Sequence, residues 1–83
     1  MKSVIETPVA TEKTMLLIEK ENKLTFRVSK SATRDQVRRE VEELFSVKVA
    51  SVNIMSDKKG KKAIVKLEEG FSAEEIGTRI GIF

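Results

Sequence analysis

Between residues 24 and 45 the spacing of the apolar side chains switches from a strand period to a helix period. Leu24, Phe26 and Val28 alternate with Thr25, Arg27 and Ser29, as in a strand with one buried face. Thr33 and Gln36 then have the spacing of a capping box. Val37, Val41, Leu44 and Phe45 follow at i, i+4, i+7 and i+8, one face of a helix. Arg34 and Arg38 fall one turn apart on its polar side, and Arg39 is spaced to pair with Glu43. A one-sided strand joined to a one-sided helix buries both faces only by laying helix on sheet.

The remaining elements extend that layer. Residues 2–5 read as a short strand ending before Thr7-Pro8, because the residue before proline avoids the helical region. Thr11 is the expected N-cap of a helix running to about Lys20, with Met15 and Ile18 toward the core. Met15-Leu16-Leu17-Ile18 is wide for one apolar stripe; core packing is the default expectation, and exposure of part of it to a protein partner is the alternative. Glu21-Asn22-Lys23 reads as a turn. Residues 48–55 and 62–68 are β-rich runs joined by Ser56-Asp57-Lys58-Lys59-Gly60-Lys61, a hairpin with Gly60 where a positive φ is wanted. Ser72 and Glu75 open a last helix as a capping box, flanked by Phe71 and Ile76 as a hydrophobic staple. The expectation is an α+β two-layer sandwich over residues 1–83. A mostly antiparallel four-stranded sheet carries the helices, in the order β-α-β-α-β-β-α.

Composition narrows the chemistry. The chain has no cysteine and no histidine, which removes disulfides, thiolate metal sites and the commonest general base. The adjacent acids Glu42-Glu43, Glu68-Glu69 and Glu74-Glu75 point apart on a helix or strand and form no local catalytic pair. No phosphate-cradling glycine loop or calcium loop occurs. Neither an enzyme nor a cofactor or metal site is expected, and no small-molecule substrate. The longest wholly apolar run is four residues, and an acid at Glu6 interrupts any leader-like segment. A cytoplasmic protein without membrane insertion is the expectation.

Charge is the informative feature. Residues 1–66 carry 15 basic and 9 acidic side chains, whereas residues 67–83 carry four glutamates against Arg79. The basic charge peaks at Lys58, Lys59, Lys61 and Lys62 around Gly60. Lysines at the tip of a β-ribbon suit phosphate oxygens, because each neutralised phosphate releases condensed counterions. Lys13, Lys30, Arg34 and Arg38 are secondary candidates, and Asn53 is a hydrogen-bonding candidate for RNA, with a turn or strand-edge role as its equal alternative. The competing reading is a protein–protein interaction module whose lysines guard strand edges and confer solubility. There is no tryptophan or tyrosine, and three of the four phenylalanines, Phe26, Phe45 and Phe71, fall at core positions. Backbone and shape recognition of a folded RNA therefore fits better than base stacking.

Three segments carry a family resemblance. Pro8-Val9-Ala10-Thr11-Glu12-Lys13 resembles the opening motif of the large-subunit ribosomal protein L-twenty-three family. Phe45-Ser46-Val47-Lys48-Val49-Ala50-Ser51-Val52-Asn53 resembles its helix-to-strand passage. Lys61-Lys62-Ala63-Ile64-Val65-Lys66-Leu67-Glu68, with Ile76 beyond, resembles its C-terminal signature. The resemblance implies a ribosome-bound protein that binds large-subunit ribosomal RNA at the polypeptide tunnel exit. The implied partners are a neighbouring small protein of the L-twenty-nine family and, docked on the exposed side, the signal recognition particle or a ribosome-associated chaperone. Glu12 matches the family's factor-docking acid. The segment from Asp57 to Lys61 is shorter than the hairpin extension of bacterial members, and Arg79-Ile80-Gly81-Ile82-Phe83 looks archaeal-type.

Overall fold

A computed structural model describes residues 3–83 of the chain. Its elements are β1 (Ile5–Pro8), α1 (Glu12–Glu21), β2 (Lys23–Val28), α2 (Arg34–Phe45), β3 (Val49–Asp57), β4 (Gly60–Leu67) and α3 (Ala73–Arg79). The order is the expected one. The strands form one four-stranded sheet in the spatial order β1-β2-β4-β3, and each neighbouring pair is antiparallel.

The register sorts every strand residue onto a face. Leu24, Val65 and Val52 form one row across β2, β4 and β3, and Phe26, Ala63 and Ile54 form the next. These rows join Ile18 of α1, Val37 and Val41 of α2, and Ala73 and Ile76 of α3 in one buried core. Phe45 stacks on Phe26 with ring centroids 6.2 Å apart. Residues of the alternate rows stand outside that cluster.

Each helix begins at its expected N-cap residue, Thr11, Thr33 or Ser72. Thr11 and Thr14 make a reciprocal capping box at α1, and Thr33 and Gln36 make one at α2. At α3 only one arm forms: Ser72 Oγ accepts from the Glu75 N–H, while no return bond from the Glu75 side chain is made. The second N-terminal donor of α3 is satisfied elsewhere, the Ala73 N–H donating to Asn22 Oδ1 at 2.7 Å. Gly77 lets the chain end fold back over α3, since a Cβ there would stand 3.3 Å from that of Phe83.

Several boundaries differ from expectation. The first strand runs through Thr7 and Pro8 instead of stopping before them, and Lys2, at its expected start, lies outside the described residues. The pre-proline restriction excludes helix but favours extended backbone, and β1 is an edge strand where a missing N–H is tolerated. The Glu40 carboxylate fastens the segment before it, accepting from the Val4 N–H at 2.9 Å and from the Ser3 hydroxyl. Leu44 is 58% exposed and not in the core. Burial is centred on Val37, Val41 and Phe45, and Leu44 falls at its margin, beside a groove edged by Ser3, Val4 and Glu40. Met15, Phe45 and Phe71 are half-buried against the core. Arg39 forms no ion pair with Glu43 among the described residues; the ion pair on α2 is Arg38 with Asp35, at 3.5 Å.

Candidate nucleic-acid interface

The hairpin between β3 and β4 is tighter than its composition suggests. Asp57 pairs with Gly60, so the turn itself is Lys58-Lys59 alone. Neither lysine has a positive φ; Gly60, at φ 127°, takes the conformation that a side chain resists. Asp57 organises the turn. Its Oδ1 accepts from the Lys59 N–H at 2.9 Å and from Arg27 Nη1 at 3.0 Å. The Arg27 hydrogen bond holds the Asp57 carboxyl below its ordinary value of 3.8; desolvation opposes this, and the Lys59 N–H and the charges of Arg27 and Lys62 add to it.

The one acid near the lysine cluster is thus engaged by Arg27. Lys58, Lys59, Lys61 and Lys62 have no ion-pair partner among the described residues. Lys58 and Lys59 are exposed at the tip, whereas Lys61 and Lys62 are half-buried within β4. Strand alternation separates this second pair. Lys61 stands opposite Val28 and Ser56 in a row of the core-side face, and Lys62 stands opposite Arg27 and Met55 on the other.

Asn53 is exposed and shares the face of Lys62, opposite Ile64. The secondary candidates are not brought to that face. Lys13 is exposed in the first turn of α1, Lys30 lies in the turn after β2, and Arg34 and Arg38 are exposed on α2. Arg38 is also engaged by Asp35. Glu12 is exposed at the start of α1.

Lys66 is a basic residue of this face that sequence alone does not single out. It is exposed on the face of Lys62 and Asn53, opposite Ser51 and Lys23, with no ion-pair partner among the described residues. The signal is the alternation Lys62, Ile64, Lys66, which reads as one strand face once the strand's register is known. Among the described residues no cluster of three or more His, Cys, Asp or Glu side chains could hold a metal ion. No helix there is long and apolar enough to cross a membrane.

Comparison with known proteins agrees with the motifs. Residues 3–62 match the family model described as Ribosomal protein L23. The chain is 58% identical over 80 residues to the large ribosomal subunit protein uL23 of Thermoplasma acidophilum, covering 96% of this chain and 95% of that one. It is 58% identical over 79 residues to the uL23 of Picrophilus torridus, covering 95% and 96%. With the uL23 of Methanococcus vannielii it shares 43% identity over 81 residues, covering 96% and 94%. With the family model spanning most of the fold and near full-length identity to archaeal proteins, the chain belongs to the ribosomal protein L23 (uL23) family.

Proposed function

We propose that the chain is a non-catalytic structural constituent of the large ribosomal subunit that binds large-subunit ribosomal RNA through its basic hairpin, at the polypeptide tunnel exit. The observation carrying the RNA contact is the state of the hairpin charges. Lys58, Lys59, Lys61 and Lys62 are free of carboxylate partners among the described residues, and the one neighbouring acid, Asp57, is bound by Arg27 and the turn. Such lysines neutralise phosphates without reading bases, so recognition comes from RNA shape and from a rigid frame that fixes their spacing. Lys13, Lys30, Arg34 and Arg38 are secondary contributors, and Asn53 adds a hydrogen-bonding group.

The partners follow from the same reading. The chain sits beside a small ribosomal protein of the L-twenty-nine family, and exposed Glu12 belongs to the surface where the signal recognition particle or a ribosome-associated chaperone docks. The location is the cytoplasmic ribosome.

The test is binding to large-subunit ribosomal RNA fragments, against an unrelated folded RNA, across a salt series. Engagement of four to six phosphates gives a log K against log salt slope of roughly −3 to −5. Replacing Lys58, Lys59, Lys61 and Lys62 together by Ala weakens binding and flattens the slope while circular dichroism stays native. Unchanged affinity in that variant at physiological salt would remove the hairpin from the interface. A salt-independent interaction would point to a protein-binding module instead.

A further inference from the structure

The sheet has two outer strands, β1 and β3, and the chain treats their free edges differently. The β1 edge is closed against further pairing. That strand is four residues long, contains Pro8, and has its register broken between Ile5 and Thr7. The Glu40 carboxylate also occupies backbone donors at its start, accepting from the Val4 N–H at 2.9 Å and from the Ile5 N–H at 3.3 Å. Such devices keep an edge strand from recruiting another chain. β3 runs for nine residues without a proline. Its start is fastened, the Val49 N–H donating to the Glu42 carboxylate at 3.0 Å, and its register breaks only between Val49 and Ser51. From Ser51 to Ser56 the strand is regular, uncharged and unguarded.

The register also gives the outward groups of β3. Bonded and non-bonded pairs alternate along an antiparallel ladder, and the pair flanking a two-residue turn is a bonded one. Asp57–Gly60 is that pair, so Met55, Asn53 and Ser51 bond to β4 as well. Ser56, Ile54 and Val52 then turn both N–H and C=O away from β4. The same alternation, carried through β4, turns Thr25 of β2 toward β1, where its carbonyl accepts from the Val9 N–H at 2.9 Å. The outward groups of Val52, Ile54 and Ser56 have no partner among the described residues. The side chains of Val52 and Ile54 are only half-buried against the core, so the open edge keeps apolar surface too.

We propose that the β3 edge is a docking site for an extended segment of another protein, which adds a strand to the sheet beside Val52, Ile54 and Ser56. The chemistry of the edge selects that occupant. Alternating N–H and C=O groups are matched by another backbone, whereas phosphate oxygens would meet the carbonyls as well as the donors. Charge selects the segment's sequence. Exposed Lys48 precedes the strand, exposed Lys58 and Lys59 follow it, and none has an ion-pair partner among the described residues. The complementary segment has an uncharged, β-branched centre and an acid toward each end. Because Lys58 and Lys59 belong to the proposed RNA contact, the acid that meets Lys48 is the one specific to this site. A second copy of this chain fits less well. Matching the outward groups would pair Ile54 with its counterpart and Val52 with the other copy's Ser56. That register brings Lys48 of each copy to the turn lysines of the other, a repulsion at both ends.

The experiment offers the full chain a displayed random peptide library of about ten residues, long enough at the usual strand rise to reach from Lys48 to the turn. Enriched peptides are expected to place uncharged β-formers between acids. In the free chain, amide exchange followed by NMR should be fast at Val52, Ile54 and Ser56 and slow at Asn53 and Met55. A bound synthetic peptide of the enriched sequence should slow the first three. Ser56→Pro removes an outward N–H and leaves the β4 ladder intact, so peptide affinity should fall about ten-fold, while Ser56→Ala binds like the wild type. Lys48→Glu should change the preference at that end from acid to base. Thermal unfolding of each variant separates a blocked edge from an unfolded chain. Failure to enrich any peptide over a bait-free control overturns the proposal, as does a peptide that slows exchange elsewhere than on β3. Slow exchange at Val52, Ile54 and Ser56 in a free chain that sediments as a dimer gives the edge to a second copy and overturns it too. Slowing of these amides by ribosomal RNA in place of peptide overturns the peptide assignment and leaves the RNA-binding reading standing.

Discussion

Asn22 bears more of the architecture than its place in a polar turn suggests. It closes α1 in the left-handed region at φ 57°, its backbone N–H donating to the Leu17 carbonyl. Its side chain then spans to the far end of the sequence: Nδ2 donates to the Phe71 carbonyl at 2.8 Å, and Oδ1 accepts from the Ala73 N–H at 2.7 Å. Its own carbonyl accepts from the Leu67 N–H. One residue therefore ends α1, continues the β2–β4 ladder and anchors the start of α3. Asn22→Ala loses two half-buried hydrogen bonds and puts a Cβ-bearing residue without a local polar group at positive φ. A loss of about 2–4 kcal/mol is expected by urea denaturation. Asn22→Gly keeps the conformational freedom and loses only the bonds, so it should fall between wild type and the Ala variant. Equal stability of Gly variant and wild type would mean that the side-chain bonds contribute nothing.

At the scale of elements, the hairpin and the helix starts show what sequence makes visible and what it hides. The Thr33–Gln36 capping box, the Thr11 N-cap, the β2 alternation and the positive φ of Gly60 are legible because each depends on residues a few positions apart. The return bond of Thr14 at α1 is not foreseen, and that of Glu75 at α3 is not made. The reach of β3 and β4 to within two residues of each other is not legible, because the lock is Arg27, thirty residues from Asp57 in sequence. For the same reason the candidate lysines read as one cluster although register splits Lys61 from Lys62, and Lys66 stays hidden among the strand residues. Pairing partners, which decide the face, are long-range facts. The Arg27–Asp57 lock has a pH signature. Since the folded Asp57 carboxyl lies below its ordinary 3.8, its stabilising contribution is fully present above the unfolded value and is lost as acid takes the pH down through the folded one. A carboxyl titration followed by NMR should give a midpoint for Asp57 below 3.8. Asp57→Ala should loosen the hairpin at about pH 6, and that difference from wild type should vanish in strong acid. A midpoint at or above 3.8 would mean that Arg27 is not engaged in solution.

Across the whole molecule, strands β2, β3 and β4 carry five basic side chains against Asp57, and the three helices nine acidic against six basic. That division would separate the two tasks of the proposed function, RNA binding and factor docking. On that proposal, an RNA-facing surface would have to neutralise phosphates, whereas a surface presented to docking factors would have to remain free of RNA. Glu12 sits on the helical side, exposed in the first turn of α1, where the helix dipole favours an acid. The helix geometry alone explains that preference, so a docking role must show itself in a measurement that helix stability does not move. Glu12→Gln keeps a polar side chain of the same length and removes the charge, at a cost to the helix of about a few tenths of a kcal/mol. Large subunits reconstituted with this variant should incorporate it at wild-type levels and bind ribosomal RNA with unchanged salt dependence. Their co-sedimentation with the signal recognition particle should weaken several-fold, and more so as salt is lowered, where the lost charge matters most. Glu19→Gln, on the same helix and exposed like Glu12, supplies the comparison. If both variants retain factor binding, Glu12 does no more than stabilise the start of α1. If both lose it equally, factors respond to the overall negative charge of the helical layer, with no particular acid selected.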